Sequence, residues 1–188
     1  MRMMKFTALA AAVALSGCID VDLTTTITGP ETARLTGYTE VQTEILAMMG
    51  GTESFCNAEE GGTLEQTDTT ARCNMLIEGT FAEVFDGDPG EPAPVATDLG
   101  DGTVRVEFPL GAMTADSAQM REDPQTMAMM RPMLEGHTFT VRIAGAEVVS
   151  TNGTLSDDGK SASYTFPLVE ILNADFEVPE IFEAVVRY

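Results

Sequence analysis

Ile19-Asp20-Val21-Asp22-Leu23-Thr24-Thr25-Thr26-Ile27-Thr28 alternates between two kinds of side chain. Ile19, Val21, Leu23, Thr25 and Ile27 fall on one side of an extended chain, and the aspartates and remaining threonines fall on the other. That period of two belongs to a strand with one buried face. Gly29-Pro30-Glu31 supplies a turn, and Ala33, Leu35 and Gly37 continue the alternation into a second, antiparallel strand.

Upstream, the chain reads as a leader rather than as fold. Arg2 and Lys5 make a positive start, Phe6 to Leu15 an apolar core, and Leu15-Ser16-Gly17-Cys18 resembles the lipobox of bacterial lipoproteins. The apolar core is too short to span a bilayer as a helix. The resemblance implies a signal peptide over 1–17, cleavage before Cys18, and attachment of diacylglycerol and palmitate-like acyl chains there. Each buried methylene contributes about 0.8 kcal/mol, so two or three chains anchor a protein durably. The first strand then starts almost at the lipid. Residue Ile19 follows the cysteine and the aspartate comes one later, as Asp20. In a Gram-negative cell that order favours the outer membrane, on its periplasmic side.

Downstream, the spacing of Val41, Ile45, Met48 and Met49 predicts a helix over about 40–49, stopped by Gly50-Gly51. Arg72 to Gly79 reads as a strand, Phe81 to Phe85 as a helical turn, and 86–101 as a long surface loop. Asp86, Asp88 and Glu91 in that loop are oxygen donors of the kind calcium takes, without the ligand series of an EF-hand. Val104, Val106, Phe108 and Leu110 alternate as a strand. Asp123-Pro124 starts a helix that Gly136 ends, with Pro132 in its last turn. Long strands near 138–150 and 161–167 follow, joined across Asn152-Gly153 and Asp157-Asp158-Gly159, whose glycines suit positive φ. Leu168 to Leu172 reads as one helical turn, and Phe182, Ala184, Val186 and Tyr188 as a last strand. The expected fold is α+β: a mostly antiparallel sheet of about seven strands with two or three helices packed on it, as one domain over 18–188.

The segment Phe139-Thr140-Val141-Arg142-Ile143-Ala144-Gly145-Ala146-Glu147-Val148-Val149-Ser150-Thr151-Asn152-Gly153-Thr154, continuing through Asp158-Gly159-Lys160 to Tyr164-Thr165-Phe166-Pro167-Leu168, resembles the C-terminal hairpin of the LppM-type bacterial lipoprotein domain. Members of that group also run from a lipidated cysteine straight into an alternating strand. This sequence departs from the pattern with Tyr164 where tryptophan is usual, and with no transmembrane tail after Tyr188. The resemblance implies an envelope lipoprotein with no catalytic residues to carry over.

Loss of Arg2 and Lys5 with the leader takes the ten basic residues to eight, against 30 acidic ones, and the formal charge from −20 to −22. Such a surface repels nucleic-acid phosphates and anionic headgroups, so no nucleic-acid partner is expected. Lys160 is the one lysine left, and an acidic, lysine-poor surface suits a salty medium. With Cys18 acylated, Cys56 and Cys73 remain as an even pair in an exported chain, which reads as a disulfide. It closes a loop of about 18 residues, for which chain entropy gives about 3 kcal/mol.

Signatures of catalysis are absent: no nucleophile elbow, phosphate loop, dinucleotide fingerprint or zinc-ligand spacing. His137 is the only histidine, and its place after Gly136 at a helix C-terminus gives it a structural role. No enzyme activity and no cofactor are expected. The methionines are the remaining signal. Met127, Met130 and Met133 share a helical stripe with Leu134, while Met129 points away. They read first as adaptable core. A second reading has Met48, Met49, Met127, Met130, Met133 and Leu134 line a groove for an acyl chain or apolar peptide. A third has the thioethers bind Cu(I). The functional expectation is a lipid-anchored, non-catalytic binding or structural module of the cell envelope. Its partners would be the membrane through Cys18, an envelope protein, or a lipid or apolar ligand.

Overall fold

Strand β1 (Ile19–Ile27) realises the opening alternation and lies inside a seven-stranded sheet. The computed structural model describes residues 19–48, 51–85, 93–115 and 123–188. On one side β1 pairs antiparallel with β2 (Thr32–Gln42), from Ile19 opposite Val41 to Ile27 opposite Ala33. On the other it pairs with a strand that enters at the same end and runs the same way, from Val21 opposite Phe139 to Thr26 opposite Ala144. Strand β3 (Gly62–Gln66) and β4 (Thr70–Thr80) extend the sheet beyond β2, with β4 paired to β2 along its whole length.

A second sheet of four strands packs against the first. Strand β5 (Val95–Asp98) and β6 (Thr103–Phe108) form a hairpin in it. The parallel partner of β1 is β7 (Thr138–Ala144). At Gly145-Ala146 the chain then turns out of the large sheet, and β8 (Glu147–Thr151) joins the small one. It returns through the short β9 (Thr154–Leu155) to β10 (Ser161–Pro167), which pairs with β7. Strand β11 (Phe182–Arg187) lies between β6 and β8. The sheet orders are β3-β4-β2-β1-β7-β10-β9 and β5-β6-β11-β8.

The α+β class stands, and two features of the expected sheet are corrected. It is mixed, because β1 and β7 run parallel while its other pairings are antiparallel, and the described strands form two sheets rather than one of about seven. The strand expected over 138–150 is broken at 145–146, where its two halves go to different sheets, a corner device of packed sheets. Gly159 has the positive φ expected of it, 69°. Gly153 does not; a side chain there would meet Phe182 Cε2 at 2.5 Å and the Ser163 carbonyl at 2.6 Å.

The main core lies between the sheets. Val104, Val106 and Phe108 of β6 and Phe182, Ala184 and Val186 of β11 meet Val141, Ile143, Ala162 and Phe166 of the large sheet. Tyr164 of β10 and Phe182 of β11 meet at a tilt across the gap, ring centroids 6.1 Å apart, and Phe139 and Phe166, neighbours on β7 and β10, stack at 5.3 Å. A smaller core of Val41, Leu46 and Ala71, with Ile19 and Phe55 against it, lies under helices α1 (Thr43–Met48) and α2 (Thr52–Phe55). The helix expected over 40–49 is therefore shorter, since β2 keeps Val41 and Gln42 extended opposite Ala71 and Thr70. Helix α3 (Phe81–Val84) starts from a capping box between Thr80 and Glu83, and α4 (Leu110–Ala115) buries Leu110. Helix α5 (Pro124–Leu134) begins as predicted, and it continues through Pro132. Hydrogen bonds from the Thr126 hydroxyl and the Gln125 N–H hold the Asp123 carboxyl below the usual carboxylate range.

Thr25 sits on the apolar face of β1, fully buried, and its Oγ1 has no hydrogen-bond partner among the described residues. A buried, unpaired hydroxyl costs about 1–3 kcal/mol. Thr25→Val keeps the shape and removes the polar atom, so it raises stability by about 1 kcal/mol. A urea-unfolding midpoint that falls instead shows the hydroxyl to be bonded.

Candidate functional site

The end of the large sheet where β1 begins collects the residues that the sequence singled out. Helix α5 delivers the chain to Gly136, whose φ of 86° turns it into β7. There Asp20, the second residue of β1, captures it. Asp20 Oδ1 accepts the Thr138 N–H at 2.9 Å, and Oδ2 lies 2.8 Å from His137 Nδ1. The His137 carbonyl accepts the Leu168 N–H at 2.8 Å, which joins the end of β10 to the same point. One step along, Asp22 pairs with Arg142 of β7. Across β2, Arg72 binds Glu40 at 2.7 Å and lies 3.9 Å over the Tyr38 ring.

A carboxylate on Nδ1 orients an imidazole as in hydrolytic dyads. Among the described residues, however, no hydroxyl or thiol is bonded to the other ring nitrogen of His137. The arrangement fixes strands. The sequence reading gave His137 only its place at a helix end, and its backbone N–H does bond the Leu134 carbonyl at 3.3 Å. Asp20, 117 residues away in sequence, carried no signal of the pairing.

Cys56 and Cys73 are bonded, with Cα atoms 5.4 Å apart. Cys73 is in β4, opposite Leu64 of β3, so the bridge ties the end of α2 beneath the edge of the sheet. Gly62 makes room: a side chain there would lie 2.9 Å from Cys56 Sγ and 3.1 Å from Cys73 Sγ. The segment between the cysteines is more ordered than its polar sequence suggests. It holds a 3₁₀ turn over Ala58–Glu60, capped by Asn57, and then β3.

On α5, Leu134 is buried, Met127 and Met130 pack against the main core, and Met133 is half-buried. Met129 is 65% exposed, away from them. Met127 also lines an open groove of ≈ 410 Å³ between α5 and the 3₁₀ turn Leu168–Leu172. Val169, Leu172 and Ala174 add apolar walls, and Arg131, Glu170 and Asn173 add polar ones. Met48 ends α1 with its side chain outside the described set. Cys18, Met49 and the three acidic residues at 86, 88 and 91 lie outside the described residues altogether. Groups of three or more histidine, cysteine or acidic side chains fit to hold a metal ion do not occur among the described residues. No described helix is long and apolar enough to cross a membrane.

These features define a two-sheet α+β domain whose first strand is locked at its N-terminal end. Among solved structures it is similar to the folded domain of the Mycobacterium tuberculosis LppM protein, determined by NMR. The identity is 12%, the TM-score 0.48, and 90% of each chain is covered. No family model and no curated protein matches the chain.

Two outcomes follow from the geometry. Replacing Cys56 and Cys73 together by serine lowers stability by about 3 kcal/mol, read from denaturant midpoints against the oxidised chain. An unchanged midpoint would show the bridge to be idle. Asp20→Ala leaves the Thr138 N–H and the His137 ring without their acceptor and costs about 1–3 kcal/mol. Faster amide exchange at residues 137–139 locates the loss, and protection equal to wild type contradicts the clamp.

Proposed function

We propose that this is a cell-envelope lipoprotein, anchored through acylated Cys18, whose domain acts as a non-catalytic binding or structural module. The observation that carries the reading is the junction: Leu15-Ser16-Gly17-Cys18 is followed at once by a residue already paired in the sheet. A secretory leader that happened to end in cysteine would not need the fold to start there. The non-catalytic character is supported by His137, whose ring is committed to Asp20 and whose backbone is committed to Leu168. In a Gram-negative cell, Ile19 rather than Asp20 standing next to the cysteine favours anchoring at the periplasmic side of the outer membrane.

A second reading, carriage of an acyl chain or another apolar ligand, is favoured by the groove beside Met127. Its volume of ≈ 410 Å³ lies within the range of about 300–1,000 Å³ for small-molecule sites. Its mixed walls suit an amphipathic ligand better than a bare hydrocarbon. Copper handling has no comparable support, since Met129 stands apart from Met127 and Met130.

Cys18→Ser removes acyl mass from the N-terminus and releases the protein from the membrane fraction or leaves it unprocessed. Mass spectrometry of the wild-type N-terminal peptide and fractionation of both chains measure this. Wild-type protein with an unmodified Cys18 and unchanged fractionation overturns the anchor. Solvent extraction of the same material tests the second reading, which expects acyl species beyond those on Cys18.

A further inference from the structure

We infer that the end of the large sheet where β1 begins is the membrane-facing surface of the domain, with segments 67–70 and 168–175 resting on the headgroups of a zwitterionic bilayer. The inference deepens the anchoring proposed above and rests on it. Its basis is the lack of slack between lipid and fold. One trans peptide places consecutive Cα atoms about 3.8 Å apart. Ile19, one peptide beyond Cys18, is already paired with Val41 and packed against both cores. Asp20 is held by His137 and Thr138. An anchor at Cys18 therefore pulls on a rigid point, and only segments level with that point can meet the surface.

Register says which segments these are. Gln42 pairs with Thr70, Glu40 with Asp20, and Thr138 with Pro167. The turn at 67–69 is tied to this level by the Thr43 N–H bonded to the Thr69 carbonyl at 3.1 Å, and residues 168–175 follow directly from Pro167. The turns at 28–32 and 157–160 lie at the other end, where Ile27 meets Ala33 and Ser161 meets Ala144. A strand of nine residues sets the two ends about 30 Å apart. Charge selects the kind of surface. Glu44, Asp68, Glu135 and Asp175 are exposed at the anchor end, so anionic lipid is repelled and neutral headgroups are accepted. Exposed Thr67 and Thr69 offer hydroxyls at that level. The groove beside Met127 opens next to the same segment.

The test is amide hydrogen exchange on the full acylated chain in phosphatidylcholine vesicles, against a Cys18→Ser chain made without residues 1–17. Exchange slows several-fold at 67–70 and 168–175 and stays the same at 28–32 and 157–160. Inserting a 12-residue Gly/Ser linker between Cys18 and Ile19, with an r.m.s. length of about 20 Å, keeps acylation and vesicle flotation but abolishes the difference. Failure of the wild type to float, with no acyl mass on Cys18, removes the anchor and the orientation together. Flotation with equal exchange in both forms, or with slowing at 28–32 and 157–160, overturns the orientation and leaves the anchor standing. Protection that survives the linker overturns it as well, because the short tether is then not its cause.

Discussion

Everything in the large sheet depends on how β1 is held. It has strands on both sides, β2 antiparallel and β7 parallel, and Asp20 fixes the level at which β7 starts. A parallel neighbour has no tight turn to set its register, and it must arrive by a long crossover. Here the crossover ends at Gly136, and the carboxylate of Asp20 takes the first N–H of β7 along with the preceding imidazole. With that level fixed, Phe139, Val141 and Ile143 face the core, and a slip of one residue would turn all three to the outer face.

The small sheet is bound to the same strand through β7. Once β7 leaves the large sheet at Ala144, the Ala146 N–H bonds the Arg187 carbonyl at 2.7 Å and leads into β8 beside β11. One chain segment thus serves both sheets, and at the other end of β11 Phe182 meets Tyr164 and leaves no room for a side chain at Gly153. The basic residues add little to this. Arg34, Arg72, Arg142 and Arg187 each pair with a carboxylate on a neighbouring strand, in partly exposed settings worth about 0–1 kcal/mol apiece. Most acidic side chains among the described residues have no basic partner, and salt screens them at the surface.

The sequence made legible whatever a local pattern can encode. The alternation in 19–28, the Asp123-Pro124 start of α5, the turn at 168–172 and the last strand are all as read, and the even cysteine pair is the disulfide. What it hid was non-local. The parallel pairing of β1 with β7 leaves no mark in either strand, since each alternates in the same way whichever direction its neighbour runs. β3 and β5 are short edge strands rich in polar residues, and they read as loop because only one side of each is paired. Val41 misled through its spacing to Ile45. It is buried at the foot of a strand, and Leu46 reaches the same small core from the helix that follows. At the candidate site, Met127 and Leu134 could be placed from the helical stripe. The Asp20–His137 clamp could not, because its partners lie in different elements joined only by the fold.

The anchor proposed at Cys18, one residue before a central strand, would have a mechanical consequence. Force applied through Cys18 runs along β1, so it loads the hydrogen bonds to β2 and β7 in shear, all together, rather than peeling them one by one. An edge strand such as β3, or a strand at the end of a hairpin, would unzip from its free side. The hydrogen bond between Asp20 and His137 and the ion pair of Asp22 with Arg142 also resist displacement along the same axis. The position proposed for the anchor, next to a strand paired on both sides, is therefore one at which a pull on the tether would meet the hydrogen bonds of β2 and β7 together.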